Sequence, residues 1–245
     1  MTSNPMTNMK VYEGVEITAE PMTIAGTVNK SVILLAVVIL TSCITWFLAY
    51  SGFGDKTYTL AVIGAICAFV LALFASFKPH LAKPLGIGYA AFEGLFLGGI
   101  SAIFNMQYPG IVSQAVVATF CSMFIVLALF KARIIRATEA FRSTIIGATI
   151  TIAIVYLLSI VLSFFHINAL SGALASNSLL SIGLNAIIAV IACLNFILDF
   201  DFIERGVEQG APKYLEWYGA FSMLVTLIWL YIEILRLLAK LNSRR

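Results

Sequence analysis

Seven long apolar blocks run through the chain: Ser31–Ser51, Tyr58–Phe77, Pro84–Phe104, Gly110–Phe130, Thr144–Phe165, Leu179–Phe200 and Tyr214–Leu238. Each is about 20 residues or longer, enough as helix to cross a hydrocarbon core of about 30 Å. Lipid offers the backbone no water to bond to, so only helices or a closed barrel can cross it. Barrel strands alternate apolar and polar residues; these blocks do not, so they read as helices. The expected fold class is an all-α membrane protein with seven transmembrane helices. Composition agrees, since 61% of the 245 residues are hydrophobic and 11% are charged, against about 45–50% and about 25% in soluble domains. The net charge of +3 comes without a basic tract interleaved with aromatics, so nucleic acid is not an expected partner. The lipid bilayer is.

Short connections predict antiparallel neighbours in a single transmembrane domain over residues 31–241. A polar tail at 1–30 precedes it, with 21–30 as a lead-in, and a basic end at 242–245 follows. No basic-then-apolar pattern opens the chain, so no cleavable signal peptide is expected. An internal repeat is not visible, which disfavours an inverted-repeat transporter. Cys43, Cys67, Cys121 and Cys193 lie singly in apolar blocks and read as small buried apolar residues, without disulfide or zinc spacing. Gly94, Gly98, Gly99 and Ser101 in the third block, with Gly147 and Ala148 in the fifth, are expected to let helix backbones approach closely.

Orientation follows from Lys and Arg beside the blocks. One face collects Lys10, Lys30, Lys78, Lys83, Lys131, Arg133, Arg136, Arg142, Arg205 and Lys213; the other has Lys56, Arg236, Lys240, Arg244 and Arg245. A cytoplasmic N-terminus is favoured. The basic C-terminal end then either lies outside or returns through a last segment that re-enters the membrane, and the sequence leaves both open.

Ionisable and amide groups inside the blocks are the candidates for function: Glu93, Asn185, Asn195, Asp199, Asp201, Glu233 and Arg236. A carboxylate at membrane depth is unfavourable unless it faces the bundle interior or water and has a partner. At 100° per residue, Asn185, Ala192, Asn195 and Asp199 share a stripe, while Asp201 points nearly opposite to Asp199. Asp199 is therefore the expected titrating centre, against the alternative that both acids are solvated at the membrane surface. Glu93, mid-block, is a candidate ion-path group or a structural glutamate. Ser222, Thr226, Trp229, Glu233 and Arg236 share one face of the last helix, where Glu233 and Arg236 could pair with each other. His80 and His166 lie at different helix ends. No HExxH, GxSxG or phosphate-loop motif occurs, so enzymatic function is not expected.

Ile-Leu-Asp-Phe-Asp-Phe-Ile-Glu-Arg-Gly (197–206), the following loop and Glu-Ile-Leu-Arg-Leu-Leu (233–238) resemble the end of the Bax inhibitor-1 family. Ala91-Phe92-Glu93-Gly94 with Gly98 is similar to that family's third span, and the resemblance, to a bacterial-type member, covers most of the chain after about residue 25. It implies seven helices with the last at the centre of the other six, and a pH-dependent calcium leak gated by two aspartates. The first aspartate maps onto Asp199. The second falls at about Thr226, and residues 214–245 contain no Asp; Glu233 and Asp201 are the nearest substitutes. Two carboxylates held close share a proton because both cannot ionise cheaply, and that proton can bias one helix arrangement over another. Calcium is implied as a permeant ion and no cofactor is expected. The alternative functions are a non-conducting regulator that binds membrane proteins or membrane proteases, and a proton-coupled transporter. The expected location is the cell membrane, the inner membrane if the host is Gram-negative.

Overall fold

A computed structural model describes residues 20–167, 172 and 174–244. Seven helices in it are long and apolar enough to cross a membrane: α1 (Ile24–Tyr50), α2 (Gly54–Phe77), α3 (Ala82–Gln107), α4 (Ile111–Lys131), α5 (Glu139–Phe164), α6 (Leu179–Glu208) and α7 (Leu215–Asn242). The all-α, seven-helix expectation holds.

Helix ends differ from block ends. The α1 helix starts at Ile24, inside the stretch read as a polar tail, because Thr23 caps it: its Oγ1 accepts the Gly26 amide at 2.9 Å. The α6 helix runs on to Glu208, past the apolar block, and α7 to Asn242. Hydropathy marks where lipid is tolerated, whereas the backbone ladder continues until something stops it. At the end of α6 that is Gly210, at φ +64°, with its amide bonded to the Val207 carbonyl and that of Ala211 to Gly206, a Schellman ending. The α7 helix is one uninterrupted run of 28 residues.

The helices group into two compact units. One comprises the chain up to Pro109 with Asp199–Val225, the other Gly110–Leu198 with the chain from Thr226 on. In the first unit α3 packs against both α1 and α2. Eleven residues of α3 are buried, most of them small. Gly94 and Gly98, one turn apart, lie against the α1 backbone at Val38 and Ser42, and Gly99 lies against Ala61 of α2. Reciprocally, Gly64 of α2 faces the backbone of Phe92 and Phe96. Buried positions on α2 (Thr57, Ala61, Gly64, Ala68, Ala75) follow the steps of three, four and seven that keep one face on a neighbouring helix. Hydroxyls on these faces bond their own helix, Thr41 Oγ1 to the Val37 carbonyl at 2.9 Å for example, and so find acceptors within the apolar packing.

Gly147 does not share that role. It is exposed, and a side chain there would meet nothing within 4 Å. The cysteines are also placed differently from the sequence reading. All four are free thiols, but Cys43 and Cys121 are exposed and Cys67 and Cys193 half-buried. They tolerate apolar surroundings on the helix exterior, where Leu40, Phe47, Phe69, Phe124 and Leu157 are exposed too. So much exposed large apolar surface on helices of spanning length suits lipid, not water.

Candidate functional site

The sequence-derived residues fall into two separate sets, one in each unit. In the first unit, Asp199 on α6 and Ser222 on α7 are both buried, and Ser222 Oγ donates to Asp199 Oδ1 at 2.5 Å. Asp201 is buried as well, but it turns to its own helix, where Arg205 Nε donates to Oδ1 at 3.0 Å. The opposite facing of the two acids is as the helical period requires. Both acids are buried, at 7% exposure for Asp199 and 8% for Asp201. Glu93 is buried mid-way along α3, four residues from buried Tyr89, whose ring meets Phe221 edge-on at 5.2 Å. It belongs to the same unit as Asp199.

A further carboxylate of that unit, Glu216 in the first turn of α7, has no place in the sequence reading. It is 1% exposed. Its Oε1 accepts both the backbone amide and the hydroxyl of Thr23, each at 2.9 Å, and its other oxygen takes the Lys30 ammonium. The segment before α1 is thereby strapped to the α6–α7 connection. Pro21 bridges Pro212, the Met22 amide donates to the Ala211 carbonyl at 2.7 Å, and Met22 is buried among Phe202, Leu215 and Tyr218. Lys30 and Lys83 stand over the Trp217 ring at 5.6 and 5.8 Å, as cations do on aromatic faces. Outermost, Lys213 donates to Glu20 at 2.6 Å, and that hydrogen bond holds the Glu20 carboxyl below its usual range. An acid in a first helical turn and a lysine seven residues into α1 are ordinary in sequence; only the long-range pairing distinguishes them.

Gly26 makes the strap fit, because a Cβ there would run into the Glu216 carboxylate. Gly26→Ala is expected to destabilise by about 1–3 kcal/mol, seen as a melting point several degrees lower in detergent. Gly54→Ala, where a side chain would meet nothing within 4 Å, is the matched control. Equal melting of the two variants would refute the strap.

In the second unit, Glu233 of α7 is the hub, at 1% exposure. Tyr156 OH from α5 donates to its Oε1 at 2.8 Å, and Asn185 Nδ2 from α6 to its Oε2 at 3.2 Å. Arg236, one turn on, lies 3.6 Å from Oε1 and 5.5 Å above the Tyr156 ring. Glu233 and Arg236 thus pair, as their spacing allows. Asn185 also accepts from Lys240, which sequence reading had counted only as a basic flank. Asn195 goes elsewhere: its amide donates to Thr149 Oγ1 of α5 at 2.9 Å and to the Ile191 carbonyl at 2.9 Å. The polar stripe on α6 is therefore divided between different neighbours rather than forming one continuous face. Thr226 is buried on α7.

Lys240 was discoverable in sequence from its place four residues beyond Arg236 and seven beyond Glu233, on one helix face. Tyr156 carried no such signal. No curated protein and no solved structure matches this chain. The family model described as Bax inhibitor 1 like matches residues 4–243. With its seven spanning helices and that match along nearly its whole length, this membrane protein belongs to the Bax inhibitor 1 like family.

Proposed function

We propose that this protein is a pH-sensitive calcium (cation) leak of the Bax inhibitor-1 type, with Asp199 as the titrating carboxylate. The observation that carries the reading is the buried Asp199–Ser222 hydrogen bond between α6 and α7. With Asp199 ionised, Ser222 donates to it. With Asp199 protonated, the carboxyl becomes a donor itself and loses the charge that held the hydroxyl, so the contact between the helices changes with pH. Asp201 and Glu93, in the same unit, are further groups for an ion path, and Glu233 another in its own unit. Among the described residues no three His, Cys, Asp or Glu side chains come together as a metal centre. Calcium, which favours six to eight oxygen ligands when held, is read here as the permeant ion and not as a resident cofactor. The protein is read as non-enzymatic, in the cell membrane, with its N-terminus in the cytoplasm.

Calcium flux into proteoliposomes between about pH 5 and pH 8 tests this. The wild type is expected to leak in a pH-dependent way, and Asp199→Asn, which keeps the size and an acceptor oxygen but cannot be deprotonated, to leak without that dependence. A mutant profile that tracks the wild type would remove Asp199 from the role. Tight liposomes for both would favour the non-conducting regulator of membrane proteins or proteases. The exposed apolar helix surfaces would serve that function equally well.

A further inference from the structure

The second unit holds a cation of its own in an oxygen cage. Lys240, near the end of α7, is buried, and its three ammonium donors have three acceptors: the Leu174 carbonyl at 2.5 Å, Ser181 Oγ at 2.7 Å and Asn185 Oδ1 at 2.6 Å. An ammonium has no other donors to give. Behind the cage stands a carboxylate, since the Asn185 amide that accepts from Lys240 also donates to Glu233 Oε2 at 3.2 Å. Glu233 in turn is held by Tyr156 and Arg236. Converging oxygens with a negative charge one residue away are what a metal cation asks for, and here a tethered ammonium fills the place.

We propose that Leu174, Ser181 and Asn185 form a monovalent-cation site, of the sodium or potassium class, which Lys240 occupies as a built-in ion. The donor set decides the class. Carbonyl, hydroxyl and amide oxygens are hard but neutral ligands, and three of them are too few and too weakly charged for calcium. Replacing one monovalent cation by another also keeps the charge facing Glu233 unchanged. Loss of a buried ammonium ordinarily leaves its acceptors without a donor; at this site a free cation takes their oxygens instead. The assignment does not rest on the leak reading, because it concerns binding and not flux.

The experiment is thermal unfolding of purified Lys240→Ala and Lys240→Ser in choline, sodium and potassium chloride at one ionic strength. Choline is too large for the cage. Both variants are expected to melt below the wild type in choline and to recover most of the loss in sodium or potassium, saturably, while the wild type is indifferent to the salt. Adding Asn185→Ala to Lys240→Ala is expected to abolish the recovery. Equal melting in all three salts overturns the proposal, and so does recovery that survives Asn185→Ala. A variant that folds in none of the salts also counts against it, since the free cation should restore what the ammonium supplied. Flux measurements on the same variants report separately on the leak.

Discussion

Gly98→Leu is expected to leave no properly folded protein. The first side-chain carbon would fall on the Ser42 carbonyl and Thr45 Oγ1 of α1, with the Ser42 carbonyl carbon only 2.8 Å away. A flexible side chain can step aside, but the α1 backbone cannot without moving the whole helix. One turn earlier Gly94 stands in the same relation to Val38, whose carbonyl oxygen would lie 2.5 Å from an added carbon, so relaxation cannot be local. Overpacking ordinarily costs about 1–3 kcal/mol. A leucine forced between two backbones should exceed about 5 kcal/mol, comparable to the whole stability of many domains. The expected result is an aggregated or absent peak in size exclusion after detergent extraction. Gly147→Leu, at an exposed position with nothing within 4 Å, should be indistinguishable from wild type. A monodisperse Gly98→Leu protein with near-normal melting would mean that α1 and α3 do not pack through these glycines.

Glu233→Leu should come next in severity. The carboxylate accepts from Tyr156 and Asn185 and pairs with Arg236. Removing it leaves a buried amide donor and a phenol without an acceptor. Arg236 is spared the full effect, because its side chain is 40% exposed and also lies over the Tyr156 ring. Breaking a buried pair from one side costs about 3–5 kcal/mol, and a leucine cannot return any of those bonds. Glu233→Gln retains an acceptor oxygen and should fall between leucine and wild type. A double-mutant cycle of Glu233→Gln with Tyr156→Phe should show a coupling of about 0.5–3 kcal/mol. Additive losses would mean the two residues do not share a hydrogen bond.

How much of this was legible beforehand depended on the range of the interaction. Helix number and class follow from block length alone, because membrane thickness is an external ruler. The opposed facing of Asp199 and Asp201 follows from the helical period, as does the pairing of Glu233 with Arg236. Interactions between distant segments were illegible. Asn185 and Asn195 share a stripe on a helical wheel, yet one meets Glu233 and the other Thr149, a choice made by neighbours the wheel does not contain. Gly94 and Gly147 look alike in sequence; only one has a helix pressed against it. Lys240 appeared only as a helix-end charge and Glu216 did not stand out at all, because hydropathy scores a residue by type, and type does not reveal a buried partner.

The strap has a consequence for biogenesis. Thr23 and the carboxylate that receives its amide and hydroxyl are 193 residues apart. At about 5–20 residues per second of synthesis, roughly 10–40 s separate the emergence of the two. Throughout that interval the start of α1 has no Glu216 to hold it, and for most of it Met22 has none of Phe202, Leu215 and Tyr218 to pack against. The clasp can shut only after α7 has begun to form, so a chain stalled or cut anywhere upstream of that turn keeps its N-terminal segment unfastened. The residues that lead into α1 are thus among the last to find their place.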